Sequence, residues 1–429
     1  MTTRPRTDRI DPRLSERLSV ARVLCILGMI WVHVPGAPAD GADRILDLAD
    51  PAATLRAFLV EGVGRSSAAL LSVVSGWLCA HLLLGGRAPR ALIGARARLI
   101  LVPMLFWASV TVALYALVST VRPTFLSAPG PVDAATVLRW IDSVAFLSSA
   151  PSGPTMHLSF LRDLFVCTCL APALLALIRR WPRVVMVALG AFYLADLESP
   201  LVLRPLVLFA FAIGLWLAHR RVRLDAADAH LGWWIGASIF ATVAVMLANA
   251  GAFAAPDAAL ASVGLDLRES VLYPLSRLFG SLAVWALAAR LVGTRAGGAL
   301  AAQMPWLFTT YCSHFLVLGL LWAGLLAPLG ASGTAPGFTL WFLAAPLVAL
   351  LVGRAIVRLT LARWPPGAVA LGLRPRHARV EPTAPGAGAA VDAAVGVAGE
   401  GVRGGGPGPL PIRAAGVETE RRSDALGRV

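Results

Sequence analysis

The sequence predicts an all-α polytopic membrane protein of about ten transmembrane helices, with both termini cytoplasmic and a disordered C-terminal tail. Three observations carry that prediction. Hydrophobic residues make up 57% of the 429 positions and charged residues 14%, with a mean hydropathy of +0.72, which is more apolar surface than a water-soluble chain can hide. Apolar runs of about twenty residues, the length that crosses a bilayer, recur along the chain. The arginines gather in alternate short loops, which is the signature of sidedness.

Residues 1–17 form a polar, arginine-bearing segment, read as cytoplasmic. No small-residue cleavage site separates it from the first apolar run, so that run is expected to be retained as a span. Spans are expected at 18–35, 66–84, 99–118, 157–178, 183–197, 201–218, 231–251, 271–292, 305–327 and 337–361. The fifth is short and only the turn at 196–200 parts it from the sixth, so the pair also fits a re-entrant hairpin. Arginine clusters at Arg4 to Arg17, Arg87 to Arg98, Arg179 to Arg183, Arg220 to Arg223, Arg290 to Arg295 and Arg354 to Arg363 mark one side. The alternate loops carry acids such as Asp40, Asp50, Glu61, Asp133, Asp196, Glu198 and Glu269, or few charges. Two of those loops, 36–65 and 119–155, are long for a helical bundle and suited to cover a site from the non-cytoplasmic side. Beyond the membrane domain at 18–364, residues 365–429 are rich in Pro, Gly and Ala without apolar periodicity, and are expected to be a disordered cytoplasmic tail.

Composition removes several classes of chemistry. All 38 basic residues are arginine, so a Schiff-base lysine and a P-loop lysine are both excluded. The net charge of +14 sits in short loops between spans, which fits membrane sidedness and not nucleic-acid binding. The five cysteines all fall in expected spans, so a disulfide framework is not expected. Cys167 and Cys169 lie about 200° apart around a helix and present diverging thiols, as buried small hydrophobes do. His33, His81, His157 and His314 lie on at least three different spans with no His-x-x-x-His spacing, and no metal is expected.

Ionisable residues inside spans cost roughly 2.5–3.5 kcal/mol each at the helix centre, and so mark where function resides. In "RVLCILGMIWVH", Arg22 and His33 are eleven residues apart, which is about 1,100° of helix and returns both to one face. That stripe fits two readings: a path from an anionic ligand at one end to a site near the other, or a snorkelling arginine with an interfacial histidine. Ser75-Gly76 reads first as a small pair that lets helices approach closely. Arg162 and Asp163 are adjacent and are expected to pair with different helices instead of each other. His157, about 140° around from Arg162, need not share its face. Tyr311 and His314 are i, i+3 neighbours, and either a structural hydrogen bond or catalysis accounts for them.

Taken in order, these stretches resemble the acyltransferase-3 family, integral membrane proteins that O-acylate sugars of cell-envelope and exported glycans. The resemblance runs from about residue 17 to 361 and rests on Arg22 followed after ten residues by His33, "SVVSGWL" at 72–78, "RARLILVPMLFW" at 96–107, "MHLSFLRDLF" at 156–165 and "TYCSHFLVL" at 310–318. Two departures stand out: Arg96 and Arg98 are separated by one residue where many members have two, and Ser159 stands where tryptophan is common. The resemblance implies ten transmembrane helices in the inner membrane, acetyl-CoA as co-substrate with no tightly bound cofactor, and a carbohydrate hydroxyl as acceptor. It implies that Arg22, Arg96 and Arg98 bind the donor's phosphates, where guanidinium forks suit phosphate oxygens. His33 is then the general base or a transient acyl carrier, with Asp163 and His314 completing the catalytic set. Asp163 either orients a histidine or neutralises Arg162. Ser75, His157, Arg162 and Tyr311 are expected to contact substrate.

Two other classes compete. A secondary transporter or exporter of a glycolipid or small anionic substrate also places Arg, Asp and His inside the membrane, but no inverted pair of broken helices is evident. A membrane scaffold would work through its tail, and deletion of 366–429 separates it from both alternatives. The sequence carries no mark of the acceptor sugar, of acetyl against succinyl, of O- against N-acylation, or of oligomeric state.

Overall fold

The computed structural model describes residues 10–36, 45–121, 155–197, 201–253, 255–257, 266–329, 336–363 and 365–373, with isolated positions at 134–135, 138, 142 and 199. Among them every regular element is helical. Helix α1 (Pro12–Trp31) starts with proline in its first turn, where the missing N–H is no loss. Helix α2 (Pro51–Phe58) is capped by the Asp50 side chain, which accepts from the Ala53 N–H at 2.9 Å. A π-helical turn, Leu59–Gly64, runs it without a break into α3 (Arg65–Leu84). In the same way α4 (Pro89–Arg96) passes through a π turn, Ala97–Leu101, into α5 (Val102–Val121). There follow α6 (Ser159–Arg180), α7 (Pro182–Leu194), α8 (Pro205–His219), α9 (Leu231–Asn249) and α10 (Tyr273–Leu291). The last are the short α11 (Arg295–Ala301), α12 (Met304–Leu321) and α13 (Pro336–Arg363).

Seven of these helical stretches are long and apolar enough to span a bilayer: Pro51–Leu84, Pro89–Val118, Met156–Arg180, Asp228–Asn249, Arg268–Leu291, Met304–Leu329 and Gly337–Leu361. The chain is therefore a multi-pass membrane protein. The other three stretches expected to span differ from these for identifiable reasons. α7 and α8 are apolar but have 13 and 15 residues, and α1 has 20 residues but includes Arg13, Glu16, Arg17 and Arg22.

The charges on α1 are tolerable because the helix is surrounded by protein. It packs against α3 and the π turn before it, and against α10, α11, α12 and α13. Arg17 shows how such a charge is satisfied: it bonds both oxygens of Asp228 at 3.0 and 2.5 Å, donates to the Trp285 carbonyl, and stacks on the Trp285 ring at 3.9 Å. Helices α3 and α8 make the most intimate pair in the bundle, and the small residues explain it. A methyl group at Gly76 would run into the Phe211 backbone, and one at Gly214 into the backbone of Val73 and Trp77.

Three expectations change. The stretch 36–65 is not one long loop, because residues 51–64 are helical and continue α3, so Glu61 sits inside a membrane helix. The cysteines are free as expected, but Cys169 is exposed on the bundle surface while Cys25, Cys79, Cys167 and Cys312 are buried. Ordered chain extends past 364: a 3₁₀ turn at Pro365–Ala368 and the following residues bury Ala368 and Leu371, and the Leu371 carbonyl accepts from Thr309 at 3.1 Å. The tail from 374 onward lies outside the described residues, as does nearly all of the loop expected at 119–155 and the covering role assigned to it.

Candidate active site

The last turn of α1 tightens. The N–H groups of Val32 and His33 bond to carbonyls three residues back, at 3.2 and 3.0 Å, so the helix finishes with 3₁₀ geometry. Two residues at about 120° in place of about 100° rotate His33 by about 40° from an ideal α stripe, and place it about 17 Å along the axis from Arg22. The two side chains still belong to one side of α1, at opposite ends of a buried stripe.

At the His33 end three elements bring three imidazoles together. His157 comes from the 3₁₀ turn Met156–Leu158 that precedes α6, and His314 from the middle of α12. Ring centroids are 5.4 Å apart for His33 and His314, 6.2 Å for His33 and His157, and 5.0 Å for His157 and His314. Phe315 lies flat against His157 at 5.3 Å and meets His33 edge-on at 6.0 Å. His157 and His314 are fully buried, whereas His33 is half-buried.

Backbone carbonyls set the tautomers of the two buried histidines. His157 Nε2 lies 3.2 Å from the Cys312 carbonyl and His314 Nδ1 lies 2.5 Å from the Tyr311 carbonyl. A carbonyl oxygen only accepts, so each of these nitrogens must carry the proton. In the neutral ring the opposite nitrogen is then a bare lone pair. Those nitrogens, His157 Nδ1 and His314 Nε2, are buried and have no hydrogen-bond partner among the described residues. Tyr311, 2% exposed, does not enter this acid–base set directly: its hydroxyl donates to the His157 carbonyl at 2.6 Å and holds the 3₁₀ turn against α12.

Arg162 and Asp163 correct the expectation that they pair with different helices. They pair with each other at 2.9 Å, because both reach toward the same backbone loop. Arg162 also donates to the Leu201 carbonyl at 2.8 Å, while Asp163 accepts from the Leu203 and Arg204 amides at 3.1 and 3.0 Å, just before α8 begins. The Asp163 oxygens are thus occupied by Arg162 and the start of α8 and by no histidine among the described residues. Asp163 neutralises Arg162 and anchors a helix entry.

Three charged residues that sequence reading left outside the site belong to its surroundings. Glu61, 1% exposed, pairs with Arg65 at 2.8 Å across one helical turn. Arg65 and Arg204 lie close enough to His33 to act on its charge, and Arg204 also reaches His157 and Tyr311 electrostatically. Arg204 Nη2 contacts the Met156 carbonyl at 3.4 Å, which ties it to the His157 turn. The i, i+4 spacing of Glu61 and Arg65 was visible in the sequence. Both residues fell at the end of the stretch read as the 36–65 loop, and π geometry was not foreseen. π turns often occur at functional sites, and this one sits beside the histidines.

At the other end of the stripe Arg22 and Arg96 stand near enough to repel each other. The Arg96 Nε and Nη2 atoms are buried without a hydrogen-bond partner. Arg98, in the π turn two residues on, is exposed and departs from the pair, as two residues on a helix must. Ser75 is half-buried next to the Gly76 contact with α8, in keeping with the small-pair reading.

The geometry is that of a buried cluster of imidazoles linked by one helix to a pair of neighbouring guanidinium groups. Residues 15–358 match the family model described as an acyltransferase domain, which is 80% of the chain. This protein belongs to the acyltransferase-3 family. The matched region includes all three histidines of the cluster and both arginines of the opposite end. A further relative is the succinoglycan biosynthesis protein ExoH of Rhizobium meliloti (strain 1021), 30% identical over 318 residues that cover 73% of this chain and 81% of the relative. No solved structure matches the chain. Membership in the acyltransferase-3 family makes this a membrane-embedded acyltransferase.

Proposed function

We propose that the protein O-acylates a cell-envelope or exported polysaccharide or glycolipid, using acetyl-CoA from the cytoplasm as a co-substrate. The family match and the relative in succinoglycan biosynthesis support this reading. In it the chain sits in the inner membrane with ten spans, α1, α7 and α8 adding to the seven long stretches, and both termini are cytoplasmic. The observation that carries it is the imidazole cluster: two buried histidines held by backbone carbonyls, each with one basic nitrogen kept bare, beside a third that is half-buried.

Arg22 and Arg96 bind the donor's phosphates, and the arm of the coenzyme lies along α1 toward His33. His33 takes the proton of the acceptor hydroxyl as its oxygen attacks the thioester carbonyl. A bond forms between sugar oxygen and acyl carbon, and negative charge develops on the former carbonyl oxygen. Arg65, steadied by Glu61, and Arg204 stabilise that oxyanion. The C–S bond then breaks, and the coenzyme thiolate recovers the proton from the histidine cluster. His314 and His157 act as the inner proton acceptors that keep His33 in its basic form.

The test is transfer of label from radiolabelled acetyl-CoA to envelope glycan in membranes that hold wild type or His33→Ala at matched insertion. Label from wild type alone supports the reading. Equal label from both removes His33 from the chemistry, and label from succinyl-CoA in place of acetyl-CoA redefines the donor while leaving the site intact.

A further inference from the structure

One groove lies outside the histidine cluster, on a helix that contributes none of the three imidazoles. It lies along the last three turns of α13, with a volume of about 520 Å³, between Leu351, Arg354, Ala355, Arg358 and Leu359. Leu351 and Leu359 are 57% and 55% exposed on a membrane-spanning helix, so this face looks into lipid. Arg354 and Arg358 are i, i+4 neighbours, an arrangement in which like charges repel. Both guanidinium groups lie 5.7 Å from the ring of one residue, Trp306 at the start of α12, so one indole gathers two cations. Neither arginine forms an ion pair with an acid among the described residues, and Arg354 Nε is buried without a hydrogen-bond partner.

Two guanidinium groups on a lipid-facing surface, brought together and left without an acid, require an anion from outside the chain. Their depth identifies its source. Arg354 lies nine residues and Arg358 five residues before the helix end at Arg363, which is about 14 and 8 Å by helical rise, inside the span but within reach of the headgroup layer. A soluble anion would have to leave water to arrive there, whereas a phospholipid phosphate is already at that level with its acyl chains beside Leu351.

We propose that Arg354, Arg358 and Trp306 form a binding site for the phosphate of an anionic phospholipid whose acyl chain lies in the groove along α13. The site is independent of the acyl-transfer centre, and its ligand is a bound lipid and not a substrate. Basic pockets between transmembrane helices hold such headgroups through paired cations at the interface.

The test uses the full chain in phosphatidylcholine nanodiscs doped with a photoactivatable phosphatidylglycerol, with labelled peptides mapped by mass spectrometry. Labelling is expected within 351–359, competed by unlabelled phosphatidylglycerol and not by phosphatidylcholine. The Arg354→Gln/Arg358→Gln double variant is expected to need about thirtyfold more competitor-free lipid for the same labelling, from the loss of two interfacial cations. Absence of label from this segment, or equal labelling by a phosphatidylcholine probe, overturns the proposal. Competition by inorganic phosphate or acetyl-CoA as strong as that by phosphatidylglycerol overturns the lipid source. The wild-type arms decide the matter by themselves if the double variant does not insert.

Discussion

The two ends of α1 handle charge in opposite ways. Around His33 two of the nearby arginines carry carboxylate partners, Arg65 with Glu61 and Arg162 with Asp163, both carboxylates fully out of solvent, while Arg204 rests on the Met156 carbonyl. At the other end Arg22 and Arg96 stand near enough to repel each other, and Arg96 Nε and Nη2 have no hydrogen-bond partner among the described residues. Partly matched charge suits proton transfer among neutral imidazoles, because each uncompensated cation nearby lowers their affinity for a proton. Gathered positive charge suits a polyanionic ligand that supplies its own counter-charge. One helix thus joins a cluster of three imidazoles to a pair of neighbouring guanidinium groups.

The sharpest break in this comparison comes from the histidine end. His314→Ala removes the bare Nε2 and is expected to lower acyl transfer by about 10²–10⁴-fold, the usual range for a lost acid–base group, with little change in donor binding. Asp163→Ala tests whether matching is structural: loss of the buried carboxylate that holds Arg162 and the α8 entry should cost about 3–5 kcal/mol, read as a lowered thermal midpoint in detergent. Should activity vanish in that variant with the midpoint unchanged, Asp163 belongs to the chemistry instead. At the arginine end Arg96→Gln is expected to raise the KM for acetyl-CoA about tenfold and leave kcat nearly constant, because it removes binding shared by ground and transition states. An equal fall in kcat would move Arg96 out of the donor pocket. Tyr311→Phe loses one hydrogen bond to the His157 carbonyl and should cost about 0.5–1.5 kcal/mol of stability, with a modest loss of rate. Smallest of all, deletion of 374–429 should leave transfer intact, whereas deletion from 366 also strips the buried Ala368 and Leu371 and should destabilise the bundle.

Much of the fold was legible because hydrocarbon imposes a length and a composition on whatever crosses it. The seven long stretches all fall on expected spans for that reason. α1 was found for a different reason, the apolar run between Arg22 and His33, although its charges keep it from passing as an ordinary span. Periodicity arithmetic placed Arg22 and His33 on one side of a helix, but it was not applied to Arg96 and Arg98, which were grouped together and which the structure sets apart. It did less well where the backbone leaves α geometry. The π turn at 59–64 concealed Glu61 and Arg65, and the 3₁₀ turn at 156–158 made the angular argument about His157 inapplicable. For Arg162 and Asp163 the rule that adjacent residues diverge was correct for Cβ directions but yielded to long side chains that share one target loop.

By itself the sequence determined that the chain lives in a membrane, which residues are too costly to leave facing lipid, and which family it resembles. These follow from composition, period and order, which are local properties. Tertiary structure alone decided that His157 and His314 join His33, which of their nitrogens are bare, that Asp163 serves Arg162 and α8, and that Arg65 and Arg204 face the cluster. Each of those facts depends on contacts between residues that helix packing, and not chain proximity, brings together.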